Sequence, residues 1–240
     1  MRCFLNLKPI KVISFDLDDT LYDNRPYILK AESEFLSFMQ KHYPAEHQWQ
    51  SEYWRAEKQK LESEQPEISH DTWQSREQNA KRILLSMGLN QQDANSGAKA
   101  GLEHFLHYRS DFKVPEKSIE LLKLLATKFK LIGISNGNVD PKRIGIAQYF
   151  EFILHAGNGH RMKPAPDMFI ESCSRLQVQP QEILHVGDNF AADVVGARLF
   201  GCQAAWLNPA FGRVEKELPD SLLPHISLDS VFELTSLTDS

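Results

Sequence analysis

The pattern of apolar and polar positions changes character twice along the chain. Val12 to Phe15 form a short apolar run that ends in acidic residues, which predicts a buried strand. From about Pro26 to Tyr108 the pattern is helical, with no convincing strand. Ile28, Ala31, Phe35, Phe38 and His42 recur three or four apart and predict one helix face. Trp49, Tyr53 and Leu61 predict a second helix. Asp71 is placed to cap a third, which carries Trp73, Ala80, Leu84 and Met87 and is closed by Gly88. Ala94, Ala98, Leu102 and Phe105 predict a fourth. Four amphipathic helices with short connections predict a small antiparallel bundle.

After Pro115 helices and strands alternate. Ile119 to Phe129 reads as a helix and Leu131 to Ile134 as a strand that stops at Ser135-Asn136-Gly137. Asp140-Pro141 is expected to open a further helix, followed by a strand over Phe152 to Leu154. Pro166 suits the first residue of a helix running to Leu176. Ile183 to Val186 is a strand ending at Gly187-Asp188. Phe190 to Phe200 is a helix closed by Gly201, and Ala204 to Leu207 is a final buried strand. This alternation predicts an α/β fold, a Rossmann-like parallel sheet with helices on both faces. The first strand must join that sheet, because nothing in a helical bundle can pair with it. The expected organisation is therefore a core of residues 1–22 and 112–240, interrupted by an inserted four-helix domain over 23–111.

Composition narrows the function class. With 42% hydrophobic and 25% charged residues, the 240-residue chain is ordinary for a globular protein. A net charge of -5, without a basic run, gives no electrostatic reason to expect nucleic acid or anionic membrane as a partner. No apolar stretch approaches the roughly 20 residues needed to span a bilayer, and Lys8 and Lys11 interrupt any signal-peptide core. Three cysteines, Cys3, Cys173 and Cys202, are an odd number without metal-ligand spacing. A cytoplasmic location is expected.

In open parallel sheets, ligands collect at the carboxyl ends of the strands. Those ends carry Asp16-Leu17-Asp18-Asp19-Thr20, then Ser135-Asn136-Gly137, then Gly187-Asp188 with Asp193 five residues on, and Lys163-Pro164 stands in the loop before a helix. Carboxylates gathered at one edge repel one another without a counter-charge. Oxygen ligands of this kind suit Mg²⁺, while one lysine and one hydroxyl can hold the remaining oxygens of a phosphoryl group.

These four motifs, in this order, resemble those of the haloacid dehalogenase-like hydrolases, and the helical insertion resembles that family's α-helical cap. The resemblance covers essentially the whole chain. It implies that Asp16 is the nucleophile and that Asp18 is general acid and base. It further implies that Asp16, Asp18 through its backbone carbonyl, and Asp188 bind Mg²⁺. Ser135, the Asn136 backbone N–H and Lys163 would hold the phosphate, with Asp193 orienting Lys163 or a metal-bound water. Dehalogenases of this fold lack an aspartate at the position of Asp18, so its presence favours phosphate transfer. A closer likeness rests on Phe15 to Pro26, Tyr149 to Phe152 and Ile183 to Asp188. It is to bacterial FMN phosphatases that also act on the phosphorylated ribitylaminouracil intermediate of riboflavin synthesis, which implies a small phosphate monoester as partner. A broad sugar or nucleotide monophosphatase, a phosphosugar mutase and a catalytically silent binder are the alternatives.

Several residues have plainer readings. Asp19 is expected to serve turn hydrogen bonding, and His185 to be a satisfied core histidine. Trp73 and Phe105 are expected in the bundle core. Specificity must come from the insertion, where Arg25 near its first boundary and Trp73 or Arg76 on the third helix are candidates for contact with the leaving group. Leu21 to Asn24 and Ser110 to Val114 are the expected hinges.

Overall fold

Val12–Phe15 (β2) is apolar or small at every position and wholly buried, as a strand covered on both faces must be. In the computed structural model, which describes residues 1–218 and 222–238, it lies in the middle of a seven-stranded sheet. The other strands are Arg2–Cys3 (β1), Lys130–Ser135 (β3), Phe152–His155 (β4), Ile183–Gly187 (β5), Gln203–Leu207 (β6) and Ile226–Leu228 (β7). Their order is β1-β7-β6-β5-β2-β3-β4, parallel throughout except for the β1–β7 pair. β2 is flanked by β3 and β5, with Phe15 beside Gly133 and Val186, so the three strands end level with one another. The sheet order reverses about β2, and the carboxyl ends of β2, β3 and β5 form one continuous edge.

The helices of this unit are Glu116–Leu125 (α5), Asp167–Leu176 (α6) and Gly196–Phe200 (α7). α6 and α7 cover an apolar core that includes Val12, Ile132, Ile134, Met168, Phe169, Val194 and Trp206. Asp140-Pro141 does not open the expected helix. Residues 141–145 are turns, with Gly145 at φ 84°, followed by a short 3-10 turn over Ala147–Tyr149. Phe190–Val195 is a π-type turn, and only Gly196–Phe200 continues as α-helix. Nor is Ala204 to Leu207 the final strand: β7 follows it, and the two-residue β1 returns antiparallel onto β7. Pro166 caps α6 as the residue just before it.

The second unit is helical throughout. Its helices are Arg25–His42 (α1), Ser51–Glu64 (α2), Thr72–Ser86 (α3) and Gln91–Arg109 (α4), with a 3-10 turn over Pro66–His70. Asp71 caps α3, accepting the Trp73 and Gln74 N–H groups at 2.9 and 3.0 Å. The core gathers Ala31, Phe35, Met39, Trp49, Trp54, Ala80, Ile83, Leu84, Ala94, Ala98, Leu102 and Phe105. By its contacts the chain divides into Met1–Asn24, Lys113–Gly137 and Pro141 onward for the sheet unit, and Arg25–Phe112 with Asn138–Asp140 for the helical one. No helix among the described residues is long and apolar enough to cross a membrane.

Candidate active site

The level ends of β2, β3 and β5 bring the sequence motifs together. Asp16 follows β2 directly and continues its ladder, donating its N–H to the Val186 carbonyl at 2.8 Å. Asp16, Asp18, Ser135, Asn136, Lys163, Asp188 and Asp193 all line one cavity of about 240 Å³ at this edge. Every motif residue expected at the site is therefore in it. Asp19, Arg213 and Lys216 line it too.

Lys163 is the hub. Its ammonium is buried, and donates to Asp16 Oδ1 at 2.8 Å, Asp193 Oδ1 at 2.7 Å and the Ile134 carbonyl at 2.6 Å. Burial would lower its pKa, but the two carboxylates reverse that and hold it above the ordinary lysine value. Asn136 fixes the backbone that carries it: its Oδ1 accepts the Lys163 N–H at 2.8 Å and its Nδ2 donates to the Lys163 carbonyl at 3.0 Å. The Lys163-Pro164 peptide that follows is cis.

Asp193 points its remaining capacity inward. Oδ2 accepts the Asn189 N–H at 2.8 Å, and Oδ1 lies 3.3 Å from His185 Nε2. The Lys163 ammonium, with His185, draws its pKa far below the usual carboxylate range despite burial. His185 also faces Ser14 Oγ through Nδ1 at 2.9 Å, on the neighbouring strand position. Burial next to Lys163 depresses it to about 4, so it is neutral at ordinary pH. His185 is thus hydrogen-bonded as a core histidine should be, and its partner is a residue of the site.

The other carboxylates are held separately. Tyr22 donates its hydroxyl to Asp18 Oδ1 at 2.6 Å. Asp18 also lies so close to the backbone at 137 that a Cβ there would meet its Oδ2 at 2.2 Å, so any residue but glycine must push the carboxylate aside. Gly187 has the same relation to Asp193, whose Cγ would lie 2.2 Å from an added Cβ. Ser135 Oγ accepts the Gly137 N–H at 3.0 Å, leaving its own proton to donate. Asp19, at φ 57°, accepts the Asn24 N–H at 3.0 Å, the turn role expected of it, and in addition pairs with Arg213.

Charge at this edge is unbalanced. Burial first, then Asp193 and Asp18, push Asp16 well above the ordinary carboxylate value against the pull of Lys163. Burial, with Asp193 and Asp19, raises Asp188 to about 7 even though Arg213 and Lys216 oppose the shift. Oxygens of Asp16, Asp188 and Asp193 lie within 4.8 Å of one another. Asp16 and Asp188, hard oxygen donors crowded until they resist ionisation, fit a divalent cation such as Mg²⁺. Both oxygens of Asp193 are engaged, Oδ1 by Lys163 and Oδ2 by the Asn189 N–H, whereas the ion pairs of Asp16 and Asp188 use Oδ1 and Oδ2 respectively and leave each a second oxygen to offer a cation.

Arg213, Lys216, Tyr22 and Trp206, whose indole donates to the Asp188 carbonyl at 3.0 Å, were not legible as site residues. Arg213 and Lys216 follow the last expected strand, in a stretch without any motif. In the helical unit, Trp73 is 44% exposed and is not a core residue, whereas Phe105 is buried. Arg76 is 8% exposed, its guanidinium 3.6 Å above the Phe105 ring and 3.6 Å from Glu32.

Residues 10–201 match the family model described as haloacid dehalogenase-like hydrolase. Over 237 residues, 99% of this chain and 100% of the other, the sequence is 41% identical to 5-amino-6-(5-phospho-D-ribitylamino)uracil phosphatase YigB of Escherichia coli. The fold matches that of a 2-haloacid dehalogenase from Pseudomonas syringae with a TM-score of 0.86 at 30% identity, covering 96% of this chain and 98% of that one. It also matches YfnB of Bacillus subtilis, described as bound to magnesium, with a TM-score of 0.65 at 20% identity over 97% and 100% of the two chains. That last likeness concerns the fold alone.

Proposed function

Since the chain belongs to the haloacid dehalogenase-like hydrolases and is a phosphatase of that family, we propose that it hydrolyses phosphate monoesters through an aspartyl-phosphate on Asp16, with Mg²⁺ as cofactor. Its proposed substrates are 5-amino-6-(5-phospho-D-ribitylamino)uracil and FMN, in the cytoplasm. The observation that carries the reading is Asp16 held by the buried Lys163 ammonium, with a second, independently held carboxylate, Asp18, beside it in the same cavity.

Asp16 attacks phosphorus in line, which divides the hydrolysis into two easier displacements. Lys163, anchored by the Ile134 carbonyl and Asp193, aims the nucleophile with its third N–H and turns that N–H to a phosphoryl oxygen as Asp16 bonds to phosphorus. The Ser135 hydroxyl and Asn136 backbone N–H take the others as charge shifts in the transition state. Asp18, steadied by the Tyr22 hydroxyl, gives its proton to the departing alcohol. It then takes one from the water that cleaves the aspartyl-phosphate, a contribution of typically ~10² to 10⁴-fold. The Asp16 and Asp188 carboxylates and the Asp18 carbonyl would hold Mg²⁺, which when bound would supply the positive charge that lets an anionic nucleophile approach an anionic ester. A halide needs no proton from the enzyme, so Asp18 favours ester hydrolysis over the dehalogenation named for the structural relative. The helical unit, as the cap, selects the leaving group.

Phosphate release from FMN, the ribitylaminouracil phosphate and a panel of sugar and nucleotide monophosphates, with Mg²⁺ or EDTA, tests the reading. Magnesium-dependent release, abolished in Asp16→Asn and greatest for the two flavin-pathway esters, is expected. Greatest release from another ester would discard the substrate and keep the chemistry; no release from any would overturn both.

A further inference from the structure

Among the described residues that line the cavity, Arg213 is the cation paired with Asp188, as Lys163 is the cation paired with Asp16. Its Nη2 lies 2.5 Å from Asp19 Oδ2 and its Nη1 3.2 Å from Asp188 Oδ2, so a single guanidinium bridges two carboxylates. The side chain is about one-quarter exposed, and such a fork-shaped contact is directional. The loop that carries it is built rather than loose. Arg213 N–H closes a turn on the Ala210 carbonyl at 3.0 Å. Asn208 holds the far side, accepting the Lys216 N–H at 2.9 Å and donating to the Lys216 carbonyl at 2.7 Å. Trp206, just before the loop, donates to the Asp188 backbone carbonyl. Asp188 is therefore gripped at its carbonyl by the strand and at its carboxylate by the loop that follows that strand.

We infer that Arg213 is a tethered counter-ion that competes with the divalent cation for Asp188, so that metal loading and the seating of the 208–218 loop oppose one another. This rests on the proposed role of Asp188 as a metal ligand. A divalent cation on Asp188 faces a fixed positive charge on the same carboxylate, and like charges at that range repel. Metal binding withdraws Asp188 from Nη1 and leaves Arg213 on Asp19 alone. In the metal-free protein Arg213 supplies the charge that keeps Asp19 and Asp188 together. It thereby sets the metal affinity and limits how tightly the cofactor is retained.

Titration calorimetry with Mg²⁺ on the full chain, without substrate, tests this. Arg213→Gln is expected to bind Mg²⁺ roughly tenfold more tightly than wild type. Lys216→Gln, which removes a cation of the same cavity that makes no ion pair with Asp188, should change it far less. In the wild-type protein, tryptic cleavage after Arg213, beside the 88%-exposed Val214, should speed up when Mg²⁺ is added. Wild type that binds Mg²⁺, with Arg213→Gln equal or weaker and cleavage unchanged, would overturn the competition and leave the proposed chemistry standing. Wild type that binds no Mg²⁺ would overturn the metal reading itself, and this inference with it.

Discussion

Asn136 grips the backbone of Lys163 from both sides, accepting its N–H and donating to its carbonyl, across 27 residues of sequence. Here the side chain acts on the protein, so in the proposed mechanism it is the backbone N–H of Asn136 that meets the phosphate. Asn136→Ala should cost about 1–2 kcal/mol of stability from the two lost hydrogen bonds. It should lower kcat more than it raises KM, because in the proposed mechanism the lysine it frees acts on the charge that shifts during reaction. Denaturant titration and steady-state kinetics on one preparation check both.

Lys163→Met leaves Asp16 and Asp193 buried without their shared cation. A loss of roughly 3–5 kcal/mol is expected at neutral pH, shrinking in acid as the stranded carboxylates take up protons. Adding Asp16→Asn to Lys163→Met should recover part of the loss. A double mutant no more stable than Lys163→Met, measured by urea unfolding, would show that the two charges are not coupled.

Asp188 gives the metal-free protein a pH dependence of definite sign. Its folded pKa lies near 7, above the usual carboxylate value. Between about pH 4 and 7 the folded state therefore holds a proton that the unfolded state has released. The contribution is complete below the unfolded pKa and is lost as pH rises through the folded one. His185, depressed to about 4, has the opposite slope over roughly pH 4 to 6.5. The comparison with Asp188→Asn isolates the first effect. In EDTA, wild type should lose stability relative to Asp188→Asn as pH rises from 4 to 7, and Mg²⁺ should restore wild type alone. A constant difference between the two melting curves across that range would count against the shift.

Arg76 is buried among Phe35, Trp54 and Phe105, with Nε and Nη1 lacking hydrogen-bond partners, and burial draws its pKa to about 10. A charge so placed is a poor source of stability. Arg76→Met should leave the thermal midpoint unchanged or raise it. A fall of several degrees would mean that the ring contacts and Glu32 outweigh the desolvation cost.

What could be read from the sequence follows from how each feature is encoded. The strands β2, β3 and β5 were legible because each is a short apolar run ending in a motif, and Asp16, Asp18, Asp188 and Asp193 because their spacing fixes them to those ends; Lys163 was legible from its place beside Pro164 just before a helix. The four long helices declared themselves by periodicity and, at Asp71, by a cap. The β1–β7 pair did not: two or three residues carry no period, and their pairing depends on a partner more than 200 positions away. The helix expected at Pro141 fails because the chain turns within five residues and reaches Gly145 in the left-handed region. Arg213 was invisible for a related reason. Its position is set by the adjacency of β5 and β6 in the sheet, a relation that no local pattern records.

Gly137 and Gly187 each leave room for a carboxylate where a side chain would otherwise stand. The smallest possible addition at either position, one methyl group, would act as an inhibitor built into the polypeptide. It would displace Asp18 in one case and Asp193 in the other, without altering a single charge or removing a single reactive atom. A protein carrying such a change could keep its whole complement of ionisable groups and still be silent, so an intact set of aspartates is a weaker guarantee of activity than the two empty places beside them.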